Sequence, residues 1–254
     1  MIKLLSFTYC NFVNKISFIA IIAFSLIISC GKESACLKST GNIAVEIREL
    51  NSFSKLSLSD KINVQLKPSN VNRLTISAGE NIIPYIITEV NNDELIIKND
   101  NSCNFLRSYK KSIDIILEYD ALVKINYFGA GKVSSVDTIR QPYLEVIAKG
   151  SSGDFDLLLD TDSVRFILHT GNTNLYLNGN AATAFFYSGG TSIVKAQNLN
   201  TQNCFANNSG SGDFYIHVLD YLYAEIQDQG NIYFSGSPSG IDKTGNGKGE
   251  LKKM

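Results

Sequence analysis

Acidic side chains are the first candidates for chemistry in this chain of 254 residues. Glycoside hydrolysis requires two carboxyl groups about 5–9.5 Å apart. Asp154 and Asp213 occupy equivalent positions in a repeat, but three repeat units separate them, which is about 14 Å at ~4.8 Å per unit. Asp154 and Asp156 lie two residues apart on one predicted strand, where a solvated face or turn capping accounts for both. We therefore predict no catalytic carboxylate pair.

Sites for a metal ion or an activated nucleophile are not predicted either. His169 and His217 are the only histidines, and their different distances from the turns do not favour convergence on one site. No spacing among the cysteines resembles a zinc site. Calcium-binding β-rolls use a nine-residue repeat, whereas the period here is about twenty residues. We predict no metal, no cofactor and no catalytic residue.

A glycine-marked turn recurs about every twenty residues in the second half of the chain, as in GSSGDF, TGNTNL and SGSGDF. One aligned position forms a predicted polar column of Lys132, Asp154, Asn174, Ser192, Asp213 and Asn231. The next position is always apolar, with Val133, Phe155, Leu175, Ile193, Phe214 and Ile232. One polar turn and one inward apolar side chain per unit are typical of stacked coils.

The elements that carry this repeat are predicted to be strands. From Ile43 onward the chain alternates over short segments such as RLTISAG and ELIIKN, which end at Gly, Asn, Asp or Ser. One short helical turn is expected near Pro84. We predict an all-β fold, a parallel β-helix (β-solenoid) of about 20 residues per coil. The crossover rule for parallel strands favours right-handed winding.

The N-terminus has the pattern of a secretory signal. Lys3 and Lys15 precede an apolar stretch of about fourteen residues, which is short for a bilayer span. The segment LIISC then resembles the lipobox of bacterial lipoproteins, in which the cysteine is lipidated. We predict a signal peptide over residues 1–29, a lipidated Cys30 with its tether over residues 30–45, and membrane attachment through the lipid. An uncleaved anchor is the alternative.

The charge balance bears on the class of partner. Without residues 1–29 the chain carries 21 basic and 24 acidic side chains, a net charge of −3. Nucleic-acid binding requires a concentrated basic face, so we predict no nucleic-acid partner. The oligomeric state stays open, because the ends of a solenoid offer unpaired strand edges.

Three cysteines remain for the exported chain beside Cys30. Cys36 follows the predicted anchor, and Cys103 lies between two strand-like segments. We predict a disulfide between Cys36 and Cys103, because exported proteins meet an oxidising environment. Cys204 is expected to be a small buried side chain within a coil.

Tyrosines are the candidates for ligand contact. Tyr215, Tyr221, Tyr223 and Tyr233 lie in the last coils, and Tyr221 and Tyr223 face outward if Leu222 is part of the core. Outward tyrosines along a rigid sheet can stack on sugar rings or anchor a protein partner. The alternative is stacking between coils, which covers strand edges and requires no ligand.

Several segments together resemble the head GIN domain family of proposed auto-transporter adhesins. They are FSKLSLSDKINVQL, NIIPYIITEVNNDELIIKN, the SGSGD-like turns, NIYFSGSP and TGNGKGE, and they cover residues 46–249, before a charged tail over residues 250–254. The GIN element corresponds to Lys61, Ile62 and Asn63, with lysine in place of glycine. The resemblance implies a β-helical extracytoplasmic domain, common in Bacteroidetes lipoproteins, and brings no catalytic residues.

These observations favour a non-catalytic, lipid-anchored cell-envelope protein that binds a glycan or a protein, as an adhesin does. The alternatives are a structural or stress-related envelope lipoprotein without an external ligand, and a polysaccharide-active β-helix enzyme. An aspartate directly after the lipidated cysteine would favour retention of the lipoprotein in the inner membrane. Gly31 occupies that position, so we predict the outer membrane, with the periplasmic or surface side left open.

Overall fold

The computed structural model describes residues 39–101 and 112–254. Cys30, Cys36 and Cys103, and with them the predicted lipidation and disulfide, lie outside the described residues. A 3₁₀ turn over Ile83–Tyr85 confirms the helical turn expected near Pro84. The strands are β1 (Ile43–Glu49), β2 (Lys55–Asp60), β3 (Asn63–Pro68), β4 (Arg73–Gly79), β5 (Ile86–Asn91), β6 (Glu94–Asn99), β7 (Asp114–Tyr119), β8 (Lys124–Gly129), β9 (Lys132–Ser135), β10 (Ile139–Ala148), β11 (Asp154–Leu168), β12 (Asn174–Ser188), β13 (Val194–Asn208), β14 (Phe214–Ile226), β15 (Ile232–Gly236), β16 (Gly240–Thr244) and β17 (Leu251–Lys253).

The strands belong to one sheet that is organised in two arms. Arm A stacks β1, β4, β7, β3, β9, the first halves of β11 to β14, β15 and β17. Arm B stacks β5, β6, β2, β8, β10, the second halves of β11 to β14, and β16. From β2 to β16 each coil contributes one strand, or one half of a long strand, to each arm, which confirms the β-solenoid. The hand of the winding stays a prediction.

The core lies between the two arms and repeats from coil to coil. Tyr127 of β8, on arm B, contacts Phe155 of β11, on arm A, edge to face with ring centroids 5.0 Å apart. Burial of each such large apolar side chain stabilises the fold by about 1.5–3 kcal/mol. The arm A column of the core, fully buried throughout, is Val133, Phe155, Leu175, Val194, Phe214 and Ile232.

The core column corrects one unit of the predicted repeat. Val194, and not Ile193, pairs with Leu175 and Phe214. Ile193 is 37% exposed, whereas Ser192 is 2% exposed. Ser192 therefore does not occupy the predicted polar column, where Ile193 takes its place. Adjacent isoleucine and valine are both apolar, so the sequence pattern alone could not separate them, and the small hydroxyl of Ser192 fits inside the tight turn.

Strand pairing extends beyond the predicted domain limits at both ends. β1 begins at Ile43, inside the segment predicted as tether, and pairs with β4 along its whole length. β17 occupies most of the predicted charged tail and pairs in parallel with β15. Both segments are parts of the solenoid, because their backbone hydrogen bonds continue the ladder of arm A.

Antiparallel strands close the N-terminal end of the solenoid. β1 and β4 are antiparallel on arm A, and β5 is antiparallel to β6 on arm B. The coil formed by β2 and β3 is inserted between the β6–β7 coil and the β8–β9 coil, although it comes first in the chain. On arm A the strand direction reverses at β4 and again at β1, and on arm B it reverses at β5, so the regular parallel stack ends at β7 and β6.

Glu118 of β7 joins three strands near this boundary. Its carboxylate accepts hydrogen bonds from Lys67 Nζ of β3 at 3.0 Å and from Arg73 Nε of β4 at 2.7 Å. The Lys67 hydrogen bond, and then that of Arg73, hold the pKa of Glu118 below its usual range. A lowered folded-state pKa contributes stability above the ordinary glutamate pKa of about 4.3, and this stability is lost as the pH falls through the folded value.

We expect Glu118→Gln to lower the free energy of unfolding at neutral pH by no more than about 1 kcal/mol, since the Lys67 and Arg73 side chains are 43% and 38% exposed and solvent screens the ion pairs. The difference between variant and parent should start to shrink as the pH falls below about 4.3, where the unfolded parent chain takes up a proton, and should vanish once the pH is below the lowered folded-state pKa. Urea denaturation across pH tests this. A difference that persists at low pH would show that the effect is not due to charge.

Candidate binding surfaces

The polar column on arm A is used to join neighbouring coils. Asn174 Nδ2 donates to Asp154 Oδ1 at 3.0 Å, and Asn231 Nδ2 donates to Asp213 Oδ1 at 3.1 Å. Asn174 Oδ1 also accepts the backbone N–H of Ile193 at 3.0 Å. These amide and carboxylate groups form hydrogen bonds with neighbouring coils of the solenoid. The column is therefore a structural ladder along one corner.

The structure also separates the acidic groups of this arm. Asp154 pairs in register with Lys132 and Asn174, whereas Asp213 lies three coil steps from Asp154, about 14 Å at the usual strand spacing. Asp156 accepts from Lys132 Nζ at 2.7 Å. A retaining or an inverting glycosidase requires carboxyl groups closer than the Asp154–Asp213 separation.

The two histidines are far from forming a common site. His217 Nδ1 lies 2.8 Å from Ser235 Oγ on arm A, and the exposed His169 packs against the Tyr187 ring at 5.9 Å. Within residues 39–101 and 112–254, no group of three or more His, Cys, Asp or Glu side chains is placed to hold a metal ion. Cys204 is fully buried as expected, and burial raises the pKa of its thiol.

The four predicted tyrosines divide between the two arms. Tyr215 and Tyr233 are neighbours on arm A, with ring planes within 8° of parallel and centroids 5.0 Å apart. Stacked in this way, each ring covers one face of the other. Their arrangement matches the inter-coil stacking that requires no ligand.

Tyr221 and Tyr223 lie on the outer face of arm B, because Leu222 between them is fully buried. Both arms direct their inward side chains into one core, so their outward faces point in different directions. The structure therefore does not bring the four tyrosines together. Tyr221 Oη donates to Asp242 Oδ2 at 2.6 Å, and this hydrogen bond raises the pKa of Tyr221.

An aromatic row on arm B includes residues that the sequence prediction missed. Phe185, Phe205 and Tyr223 occupy one outward column on three successive strands, and Arg165 precedes them in register. The guanidinium carbon of Arg165 lies 5.0 Å from the centre of the Phe185 ring. We call Phe185, Phe205, Tyr223 and the adjacent Tyr221 the aromatic row.

The rings of the aromatic row are tilted and not stacked. Phe205 lies 6.4 Å from Tyr223 at 37° and 6.1 Å from Tyr221 at 59° between ring planes. Phe205 is 36% exposed in the second half of β13. One signal could have found it: Cys204 was expected to be buried, so strand alternation places Phe205 outward.

Comparison with known proteins connects this geometry to a family. A family model described as "Putative auto-transporter adhesin, head GIN domain" matches residues 52–238. The chain belongs to the head GIN domain family. No curated protein matches this head GIN domain.

Three solved structures share the fold of this head GIN domain at low sequence identity. A "putative adhesin" from Bacteroides fragilis NCTC 9343 is 21% identical over 85% of this chain and 100% of its own, with a TM-score of 0.78. A "putative lipid binding protein" from Parabacteroides distasonis ATCC 8503 is 19% identical over 85% and 100% of the chains, with a TM-score of 0.69. A "putative adhesin" from Parabacteroides merdae ATCC 43184 is 17% identical over 86% and 98%, with a TM-score of 0.60.

No helix among the described residues of this head GIN domain has the length and apolar character to cross a membrane.

Proposed function

We propose that this head GIN domain is a non-catalytic, lipid-anchored binding protein of the cell envelope, and that the aromatic row on arm B contacts its partner. The observation that carries the proposal is the outward column of Phe185, Phe205 and Tyr223, one ring per coil. The family's description as adhesins supports a binding role at the envelope. The lipobox-like LIISC supports attachment through Cys30.

The composition of the row favours a protein partner over a glycan. Protein interfaces are enriched in tyrosine, phenylalanine and arginine, and their few energetically dominant residues cluster in one patch. Arg165 above the Phe185 ring and the tilted Phe205 between two tyrosines provide this combination. Because strand pairing fixes the backbone under each ring, binding orders side chains only and no loop.

Binding is tested with the double variant Phe205→Ala and Tyr223→Ala. The probes are immobilised fibronectin, laminin and type I collagen, together with a glycan array. If the row contains the dominant contacts, affinity for the retained protein should fall about 30-fold or more. The matched control is Tyr215→Ala with Tyr233→Ala on arm A, which removes equally large outward rings and should leave affinity within about twofold.

Equal losses in the two double variants would contradict the assignment of the aromatic row. Binding that appears only on the glycan array, and falls with the Phe205 and Tyr223 variant, would change the partner from protein to glycan. The envelope proposal has its own test in intact cells. Labelled palmitate should be incorporated by the parent and not by Cys30→Ser, and protease shaving of intact cells should remove the chain if it is displayed outside.

A further inference from the structure

The outward face of β1 exposes an apolar row at the N-terminal end of the solenoid. Ile43, Val45 and Ile47 are 55%, 64% and 60% exposed. The row borders a groove of about 340 Å³ whose lining includes Thr75, Ser77 and Ile116. By register Ile47 pairs with Thr75 and Thr75 with Ile116, so the exposed Ile116 continues the apolar row beyond the polar Thr75. Contiguous exposed apolar side chains of this kind mark an interaction surface.

The free backbone edge of β1 is less suited to pairing with another strand. Among the described residues β1 has a strand partner on one side only, which is β4. On its inner face Arg48 donates to the Ile86 carbonyl at 2.5 Å and to Thr88 Oγ1 at 2.8 Å, and it pairs with Glu46 at 2.6 Å. Inward-pointing charges are one device by which natural sheets prevent edge-to-edge association. The apolar row therefore favours an occupant that lies against the face of the sheet.

The short distance between β1 and the predicted anchor favours the membrane as the occupant of the apolar row. Ile43 is thirteen residues on from Cys30, so even a fully extended tether reaches only about 45 Å. We propose that Ile43, Val45 and Ile47 insert into the interfacial region of the bilayer that holds the lipid, and thereby orient the solenoid on the membrane. This inference rests on the proposed lipidation of Cys30. Each aliphatic side chain that enters the interface adds to the affinity in proportion to its buried apolar area.

The charges near β1 favour a membrane surface without net negative charge. Glu49 and Glu80 are exposed around the row, whereas Glu46 is neutralised by its ion pair with Arg48. Anionic headgroups would repel these carboxylates within a Debye length, so a zwitterionic surface is the favoured partner.

The chain contains no tryptophan, so one introduced indole reports a single position. Lipidated Val45→Trp protein is incorporated into phosphatidylcholine vesicles with and without brominated lipid. Its emission should shift to shorter wavelength and be quenched by the brominated lipid. Leu219→Trp is the matched control, because Leu219 is a similarly exposed aliphatic residue at 42% in β14. Its emission should remain that of an indole in water.

The outcomes separate the two proposals. Vesicle-bound Val45→Trp protein without a blue shift or quenching would overturn the membrane contact and leave the anchor standing. A parent chain that fails to associate with vesicles would overturn the lipid anchor and this inference with it. A blue shift that requires no vesicles and grows with protein concentration would assign the row to a second copy of the chain, which also overturns the inference.

A second variant tests whether the row itself, and not the tether alone, holds the indole in the interface. Ile43→Thr and Ile47→Thr are added to Val45→Trp, and threonine keeps the β-branched shape that suits the strand. Loss of most of the blue shift and quenching supports the proposal. Unchanged quenching would overturn it.

Discussion

Replacing Gly179 with alanine is expected to lower the free energy of unfolding by about 3 kcal/mol or more. Gly179 has φ +107°, a conformation that side chains with a Cβ rarely adopt. A Cβ at this position would also lie 2.0 Å from the Leu159 carbonyl oxygen, one coil away. The obstacle is backbone within a parallel ladder, so relief requires separation of the coils and not a rotamer change.

Gly150→Ala is the matched control for the contact with the neighbouring coil. Gly150 also has a positive φ, +58°, but an added Cβ would meet no atom within 4 Å. Only the left-handed conformation then counts against alanine, which costs about 1–2 kcal/mol. Urea denaturation of both variants measures the difference. Equal losses of stability in the two variants would show that the positive φ accounts for the cost. The structure would then have relaxed the contact between the new Cβ and the Leu159 carbonyl.

The repeat could be predicted from sequence wherever one coil resembles the next. Phe155, Leu175 and Phe214 follow equivalent turns, and strand alternation places all three inward. Hydrogen-bonded neighbours in the solenoid are then about twenty residues apart, so the local pattern and the tertiary pairing have the same period.

The N-terminal end could not be predicted in the same way, because its pairings are not periodic. β2 pairs with β6 and β8, and β3 with β7 and β9, although three or more strands separate the partners of each pair in the chain. Strand direction also reverses at β4 and β5. Alternation along a strand reports which side chains are buried but is the same for parallel and antiparallel partners.

The candidate site was predicted only in outline, since alternation gives the side of a strand but not the orientation of a ring. Tyr215 and Tyr223 both point outward, yet the Tyr215 ring is covered by Tyr233 while the Tyr223 ring is tilted against Phe205. The difference arises from the neighbouring coil, which offers a parallel tyrosine in one arm and a phenylalanine in the other. This information lies in the register between strands.

Phe166→Ala is expected to lower the free energy of unfolding by about 3–5 kcal/mol. Phe166 is fully buried on arm B, and its ring lies 5.9 Å from that of Phe186 at 21°. Truncation removes the apolar contact area and leaves a cavity that the hydrogen-bonded coils above and below cannot fill. The outward Phe185→Ala is the control. It should cost no more than about 1 kcal/mol, mostly through the lost contact with Arg165.

The double variant with Phe186→Ala tests whether neighbouring coils stabilise each other through this ring pair. Stacked aromatic rings contribute about 0.5–1.5 kcal/mol beyond their buried area, so the combined loss should be smaller than the sum of the single losses by that amount. Thermal or urea denaturation of the parent, both single variants and the double variant measures the coupling. If the losses of stability are strictly additive, each ring is stabilised by its own coil alone. Neighbouring coils are then held together by the backbone ladder and the polar column.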